Sequence, residues 1–257
     1  MRVATPTRVV FLTMVVAGIC IGAPTARATI TITSRYHGTF DNSGANNGNP
    51  RSLGDIEVGR DIAGDGSVTQ FHNYFLFDLS GISGQVTAAT FTVTINPFFY
   101  ESADASETLG LFDVSNSTIP ALLNQFTTND QATYVDLGSG NQYAAQVFTT
   151  AGVGTRASFD LDAAALADIN NDLGLGNGFA IGGALTTIDN NTTSEAIFAF
   201  SRDLMTNSPP IPKLELTVVP ESSMVMTVLV VCLIATASRS RRTHKRCSGA
   251  ACLLEQR

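Results

Sequence analysis

The sequence predicts an all-β protein, an antiparallel and jelly-roll-like β-sandwich with one short helix. Three observations predict this class: short segments that alternate apolar and polar residues, β-branched and aromatic residues at the apolar positions, and loops rich in Gly, Asn, Asp and Ser. The alternation is clearest in Thr29–Thr33, Ala88–Ile95 and Lys213–Val218. A period of two places one face of a strand against a core and the other in water, as in packed antiparallel sheets.

Six further segments combine the same residue types with turn residues at their ends and are predicted as strands. They are Asn73–Leu79, Thr108–Val114, Gln142–Thr149, Arg156–Leu161, Phe179–Leu185 and Ala196–Ser201. Two long polar loops are expected at Asp41–Pro50 and Ala63–Thr69. About nine short strands with such connections are typical of a sandwich.

One helix is predicted over Ala163–Leu173, where Leu166, Ile169 and Leu173 share a face. Asp162 is placed to cap its first turn, and Gly174 follows its end. Three Phe-Asp pairs also recur at predicted strand ends, and we expect the Phe in the core and the Asp starting a turn. The pairs are Phe77-Asp78, Phe112-Asp113 and Phe159-Asp160.

Charge and cysteine content restrict the function of residues 29–219. This segment holds six basic and 20 acidic residues, a balance of −14. It therefore lacks the clustered Lys and Arg that nucleic-acid binding requires. All four cysteines lie outside it, at positions 20, 232, 247 and 252, so neither a disulfide framework nor a thiolate metal site is available, and the domain must be stabilised by buried apolar surface.

The N-terminus has the pattern of a secretory signal peptide. Arg2 and Arg8 precede the apolar run Val9–Gly22, and Ala26-Arg27-Ala28 supplies small residues before a cut at Thr29. The run is shorter than the ~20 residues that a membrane span needs. Residues 1–28 are therefore predicted as a signal peptide, with Ala26 and Ala28 as its cleavage residues, and residues 29–218 as the exported domain.

The C-terminus combines a short apolar segment with a basic cluster. A membrane helix is predicted over about 222–238, and the basic residues that follow it should remain cytoplasmic by the positive-inside rule. These residues are Arg239, Arg241, Arg242, Lys245 and Arg246, followed by a tail of residues 247–257. The acidic domain is then placed outside the inner membrane.

Val219-Pro220-Glu221-Ser222-Ser223, followed by the apolar segment and the basic cluster, resembles the PEP-CTERM sorting signal of exported bacterial proteins. The resemblance covers residues 219–246. It implies an exosortase-like processing enzyme as partner, with cleavage near Pro220-Glu221 and with Arg239, Arg241 and Arg242 retaining the tail inside until then. The alternative is an ordinary tail anchor.

A second resemblance lies in the predicted domain. Asn73–Ile82 and Val86–Phe91 are similar to exported β-sandwich modules, some of which bind carbohydrate. The similarity extends loosely over residues 56–218 and implies a carbohydrate-binding-module-like fold and an exported location. Since sandwiches host many functions, it implies little about activity.

No catalytic residue or cofactor is predicted. His37 and His72 are the histidines of the exported segment, and no Ser lies in Gly-x-Ser-x-Gly; a structural role is expected for His72.

A structural calcium ion is an open alternative, with Asp61, Asp65 and the loop after Asp41 as oxygen donors, although Asp and Asn also form turns. Asp168–Asp172 has EF-hand-like spacing, but Leu173 and Phe179 occupy the positions that need Gly and Glu.

A sugar contact is the remaining hypothesis for a binding site. Phe98, Phe99 and Tyr100 follow Asn96-Pro97, which is expected to end a strand, so at least one ring should face a loop or groove. The alternative is that the three rings close one end of the sandwich.

The leading interpretation is therefore an exported, non-enzymatic protein of the cell envelope or extracellular matrix, membrane-anchored before processing, with exopolysaccharide as its candidate ligand. A secreted polysaccharide-acting hydrolase and a permanently tail-anchored surface protein are the alternatives.

Overall fold

The computed structural model describes residues 26–46, 55–123, 130–152, 154–175, 178–189, 192–200 and 211–220. Ten strands and three short helices make up these ranges. The strands are β1 (Ala28–Asp41), β2 (Asp55–Ile62), β3 (Val68–Phe77), β4 (Gln85–Glu101), β5 (Glu107–Asp113), β6 (Gln142–Phe148), β7 (Arg156–Asp160), β8 (Phe179–Leu185), β9 (Glu195–Phe200) and β10 (Lys213–Val219). The helices are α1 (Ile119–Leu123), α2 (Gln131–Leu137) and α3 (Ala163–Leu175), with a 3-10 turn at Thr150–Gly152. The prediction of an all-β protein is confirmed.

The strands form two antiparallel sheets that share their two longest members. Sheet A has the order β1-β10-β4-β7, and sheet B has the order β4-β9-β2-β3-β8-β5-β6. The first half of β1 pairs with β10, and its second half pairs with β3 after an irregularity between Ser34 and Tyr36. In the same way, the N-terminal part of β4 pairs with β10 and β7, and its C-terminal part pairs with β9. β1 and β4 thus join the two sheets.

The main core lies between the sheets, as the alternation predicts. Phe91 of sheet A contacts Phe75 and Phe77 of sheet B, with ring centroids 4.7 and 6.1 Å apart. A second, smaller core lies on the other face of sheet B, where α1 and α2 cover it. Its members are Phe40, Tyr74, Leu76, Ile119, Leu122, Tyr134, Leu137 and Ala180.

Each of the nine predicted strands has a counterpart, but some bounds differ, and one strand and two short helices were not predicted. The strand predicted from Asn73 begins at Val68, which shortens the preceding loop, and β1 continues to Asp41. The strand β2 was missed because Gly59 and Arg60 interrupt its alternation, although Ile56 and Val58 are both buried. The short helices α1 and α2 were also not predicted.

The predicted helix is confirmed as α3, but Gly174, expected to follow its end, lies inside it, since the helix continues to Leu175. Asp162 accepts a hydrogen bond of 3.0 Å from the backbone N–H of Ala165, the expected capping contact. Ile169 is fully buried, and the EF-hand-like segment lies inside the helix.

The expectation that Asn96-Pro97 ends a strand was wrong. β4 continues to Glu101, and its pairing with β9 shifts register between Ile95 and Tyr100. Proline cannot donate a ladder hydrogen bond, and such an irregularity lets a strand pass a position that lacks an N–H. The side chains of Phe98 and Phe99 lie outside the described set.

The terminal signals fall mostly outside the described residues. This applies to residues 1–25 and 221–257, which include Glu221, Arg239, Arg241 and Arg242. The described residues up to Val219 belong to one compact unit. Within the described ranges, no helix has the length and apolar character that a membrane crossing requires.

Candidate functional site

Three charged side chains point into the core at one end of sheet B. Arg60 of β2, Glu107 of β5 and Glu195 of β9 are 6%, 0% and 0% exposed. Each continues the inward-facing register of its strand, since Val58, Leu109 and Ile197 lie two residues away and are buried. Buried charges of this kind need partners.

Arg60 is held by an ion pair and by backbone carbonyls. Its Nη2 lies 3.1 Å from Glu195 Oε1 and donates to the carbonyl of Thr193 at 3.0 Å, and its Nη1 donates to the carbonyl of Asp189. The N–H of Asp189 in turn donates to Glu195 Oε2 at 3.2 Å. These contacts fix the loop between β8 and β9 over the end of the sheet.

Glu107 is bound by two hydroxyls from different loops. Ser102 donates to its Oε1 at 2.5 Å, and Thr187 donates to its Oε2. The N–H of Asp104 donates to Ser102 Oγ at 2.9 Å, so the loop before β5 is tied to the same group.

Carboxylates outnumber the single guanidinium at this end of the sheet. One oxygen from each of Asp104, Asp189 and Glu195 lies within 4.8 Å of the others, with the two aspartates exposed and Glu195 buried. Burial raises the pKa of Glu195, and the charge of Arg60 opposes that rise. Oxygen donors at such spacing are of the type that hard divalent cations use.

The aspartates that the sequence offered as calcium donors accept hydrogen bonds within the protein. Asp41 accepts from the N–H groups of Ser43 and Ala45, and Asp65 accepts from the N–H of Ser67 at 2.9 Å. Asp61 accepts from the hydroxyl of Ser194 at 2.9 Å. The contacts of Asp41 and Asp65 are those of turn formers.

A second acidic group lines a cavity of about 190 Å³ beside α3. Asp113 comes from the end of β5, and Asp168 and Asp172 lie one turn apart on the helix, where like charges repel. Tyr143 donates to Asp168 Oδ2 at 2.7 Å. The other lining residues are Val114, Ser115, Asn116, Asn171, Phe179 and Ala180. We call this cavity the acidic pocket.

Burial and crowding shift the acidities in the acidic pocket. Burial raises the pKa of Asp113, and the negative charge of Asp168 adds to the rise. Burial and Asp168 also raise the pKa of Asp172, against a hydrogen bond from Asn116. The pKa of Tyr143 is raised by burial and then by its contact with Asp168. The pocket therefore favours protons or positive charge.

A neighbouring cavity of about 250 Å³ has a different character. Leu76, Phe77 and Ile119 give it apolar walls, and Arg35 and Asp78 form an exposed ion pair of 3.2 Å at its edge. Asn116 lines both cavities, so the two together offer polar and apolar contacts side by side.

The residues predicted for sugar contact and processing are only partly described. Tyr100 is half-buried against the main core, and its hydroxyl donates to the carbonyl of Phe148 at 3.2 Å. Ala26 and Ala28 are exposed, and Ala28 is the first residue of β1. Pro220 directly follows β10.

The two histidines have structural environments. The ring of His72 stacks on Tyr134 with centroids 4.1 Å apart, and its Nδ1 lies 2.7 Å from the Tyr134 carbonyl. Nδ1 of His37 lies 3.0 Å from Ser34 Oγ. Burial lowers the pKa of both rings, to about 4 for His37.

The strand pairings define the class, an all-β protein of mainly antiparallel strands. No known protein family and no curated protein matches the chain. Among solved structures, the K1 cleaved adhesin domain of Lys-gingipain from Porphyromonas gingivalis W83 is similar at 13% identity, with 74% of this chain and 97% of that chain covered and a TM-score of 0.26. A TM-score of this size does not define a common fold, so the class rests on the pairings.

Proposed function

We propose that this chain is an exported, non-enzymatic protein of the cell envelope or extracellular matrix. A signal peptide delivers it, and an exosortase-like enzyme processes it near Pro220-Glu221. The exported part is then a jelly-roll-like module surrounded by exopolysaccharide. One observation carries the proposal: β10, the last strand among the described residues, ends at Val219, the first residue of the sorting motif.

The position of β10 explains why this boundary matters. It pairs with β1 on one side and β4 on the other, and Leu214, Leu216 and Val218 are buried. A cut within this strand would remove core side chains from the middle of sheet A, whereas a cut at Pro220-Glu221 leaves all ten strands intact. The processing motif and the end of the fold are therefore compatible.

The processing test is the identity of the mature C-terminus. We expect mass spectrometry of medium and membrane fractions from the native host to find a chain that ends near Glu221. The double substitution Pro220→Ala/Glu221→Ala should block this product, and the matched control Ser222→Ala/Ser223→Ala should block it less. An intact chain that reaches Arg257 in the membrane would contradict the proposal and favour a permanent tail anchor.

Exopolysaccharide is the proposed ligand, with Phe98, Phe99 and Tyr100 as its proposed contacts. Aromatic rings stack on sugar faces, and the hydroxyl of Tyr100 already has a partner in Phe148. We expect Phe99→Ala/Tyr100→Ala to abolish retention on polysaccharide from the host. Because Tyr100 packs against the main core, Tyr100→Ala alone is the stability control, and the double variant should have nearly the same thermal midpoint as this single variant. A much lower midpoint for the double variant would instead assign Phe99 to the core.

A secreted polysaccharide-acting hydrolase is the second candidate, and the acidic pocket favours it. Glycoside hydrolysis uses two carboxyl groups, one of which has a raised pKa and donates a proton. Asp113 and Asp172 have raised pKa values beside Asp168. This function predicts release of reducing ends that Asp113→Asn and Asp172→Asn abolish and that the exposed control Asp160→Asn retains. Absence of any release would support the non-enzymatic role.

A further inference from the structure

Sheet A has two free edges among the described residues. Residues 28–33 of β1 pair with β10 on one side only, and β7 pairs only with β4. Between them the sheet is continuous and antiparallel. An unpaired edge presents a row of backbone N–H and C=O groups to any other strand.

In their middle, these two edges lack the charges, prolines and bulges that often prevent strand addition. Residues 29–33 contain no charge and no proline, and the irregularity of β1 comes later, between Ser34 and Tyr36. β7 is charged only at Arg156 and Asp160, its two ends. Natural edge strands are protected by inward charges, proline, bulges or central lysine, and neither edge has these in its middle.

The two edges also match each other in length and in alternation. Thr29, Thr31 and Thr33 are exposed and alternate with half-buried Ile30 and Ile32. On β7, Arg156, Ser158 and Asp160 are exposed and alternate with buried Ala157 and Phe159. Antiparallel pairing with Thr31 opposite Ser158 sets five residues against five, with hydroxyl and charged groups on the outer face and apolar groups on the inner face. β1 and β7 also run in opposite directions in one copy, so this pairing keeps successive copies in the same orientation.

Charge is complementary in the same register, on the condition that the proposed signal-peptide cleavage occurs. Cleavage after Ala28 makes Thr29 the first residue and creates a positive α-amine there. That residue lies opposite Asp160, an exposed carboxylate that accepts a hydrogen bond of 2.8 Å from Thr90. The mature chain is therefore better suited to this contact than its precursor.

We propose that copies of this protein associate head to tail, with the β1 edge of one copy paired to the β7 edge of the next. A heterologous contact of this kind links copies in series, as a ring if the rotation between copies closes and as an open chain if it does not. Ile30 and Ile32, half-buried in a single copy, then lie beside Phe159 and Ala157 of the neighbour. The edge contact stands on the strand geometry, and its charge complementarity rests on the proposed processing.

Mixed-disulfide formation between two full-length chains tests the contact. Cys20, Cys232, Cys247 and Cys252 are replaced by serine, and a Thr31→Cys chain is co-expressed with a Ser158→Cys chain. Directly opposed residues of an antiparallel pair have Cα atoms about 4.5–5.5 Å apart, within the range of about 4.4–6.8 Å that a disulfide spans. We expect a mixed disulfide for this pair and none for Thr31→Cys with Glu215→Cys, since Glu215 is exposed on β10 inside the same sheet. Equal yields for the two pairs, or no product, would overturn the inference.

Sedimentation of otherwise unmodified chains provides the second test. Thr31→Lys places a charge in the middle of the edge and should reduce the associated species to monomers. Thr217→Lys, on the same face of the central strand β10, should leave association unchanged. Sequencing of the N-terminus distinguishes a failure of the edge contact from a failure of signal-peptide cleavage. Chains that begin at Thr29 but do not cross-link contradict only the edge contact. Cross-linked chains that retain the signal peptide contradict only the cleavage.

Discussion

Arg60 and Glu195 form an ion pair of 3.1 Å whose side chains are 7% and 0% exposed. Arg35 and Asp78 form a pair of nearly the same length, 3.2 Å, with exposures of 56% and 44%. Because the two pairs have nearly the same length and differ mainly in burial, a comparison of their contributions to stability isolates the effect of removing the charges from water.

Replacement of Arg60 by Met is expected to destabilise the protein strongly. It leaves Glu195 buried without its cation, and loss of one partner of a buried pair costs about 3–5 kcal/mol. The matched change Arg35→Met should cost less than about 1 kcal/mol, because exposed pairs contribute little. Urea unfolding of both variants measures the difference, and equal losses would contradict a structural role for the buried pair.

The acidic pocket should make stability depend on pH in an unusual direction. Because burial raises the folded-state pKa of Asp172, the folded chain binds this proton more tightly than the unfolded chain does. The ionised group therefore destabilises the fold above its folded pKa, and this cost disappears as the pH falls toward its ordinary value of 3.8.

Asp172→Asn should accordingly raise the thermal midpoint at pH 8 more than at pH 4. Asp160→Asn, an exposed change on β7, should alter the midpoint little at either pH. An Asp172→Asn variant that is less stable than the parent at pH 8 would show that the hydrogen bond with Asn116 outweighs the cost of burying the charge.

His37 should have the opposite effect in acid. Burial lowers its folded pKa from 6.5 to about 4, so the unfolded chain takes up the proton first and stability is lost as the pH falls from 6.5 to about 4. Such a shift corresponds to at most about 3 kcal/mol. His37→Gln should reduce the loss of thermal midpoint between pH 7 and pH 4, and an unchanged slope would exclude His37 as its source.

The sequence predicted the strands because burial and alternation are local properties. Phe91 and Val93 face the core as their spacing indicates, and Leu214 and Leu216 do the same on β10. The Phe-Asp pairs were predicted less well. Phe77 is buried and Asp78 caps the turn at Ser80, but Asp113 instead binds the N–H of Asn141, a contact across 28 residues.

The charged groups could not be predicted because their members are distant in sequence. Arg60 and Glu195 are 135 residues apart, and no local pattern indicates that they meet. Once β2 is recognised as a strand, the spacing of Ile56, Val58 and Arg60 does predict that Arg60 faces the core. The sequence therefore indicates the burial of Arg60 but not its partner. Asp113 and Asp172 likewise line one cavity only because α3 packs against the sheets.

Gly59 lies very close to the backbone of the neighbouring strand β9 and has a positive φ, which favours glycine. Its φ is +131°, and a Cβ there would lie 2.1 Å from the carbonyl oxygen of Glu195. Gly66 has φ +83°, but a Cβ at that position would have no neighbouring atom within 4 Å. Both substitutions to alanine incur backbone strain of about 1–3 kcal/mol.

Gly59→Ala should therefore destabilise the protein more than Gly66→Ala, by a further 1–3 kcal/mol or so for the overlap with backbone. The added methyl would also push β9 away from β2 and lengthen the contact between Arg60 and Glu195, so the double variant Gly59→Ala/Arg60→Met should lose less than the sum of the single changes. Urea unfolding of the four variants tests both statements. Equal costs at the two glycines would show that β2 and β9 are less closely paired than their register indicates, and full additivity would show that the ion pair does not depend on that pairing.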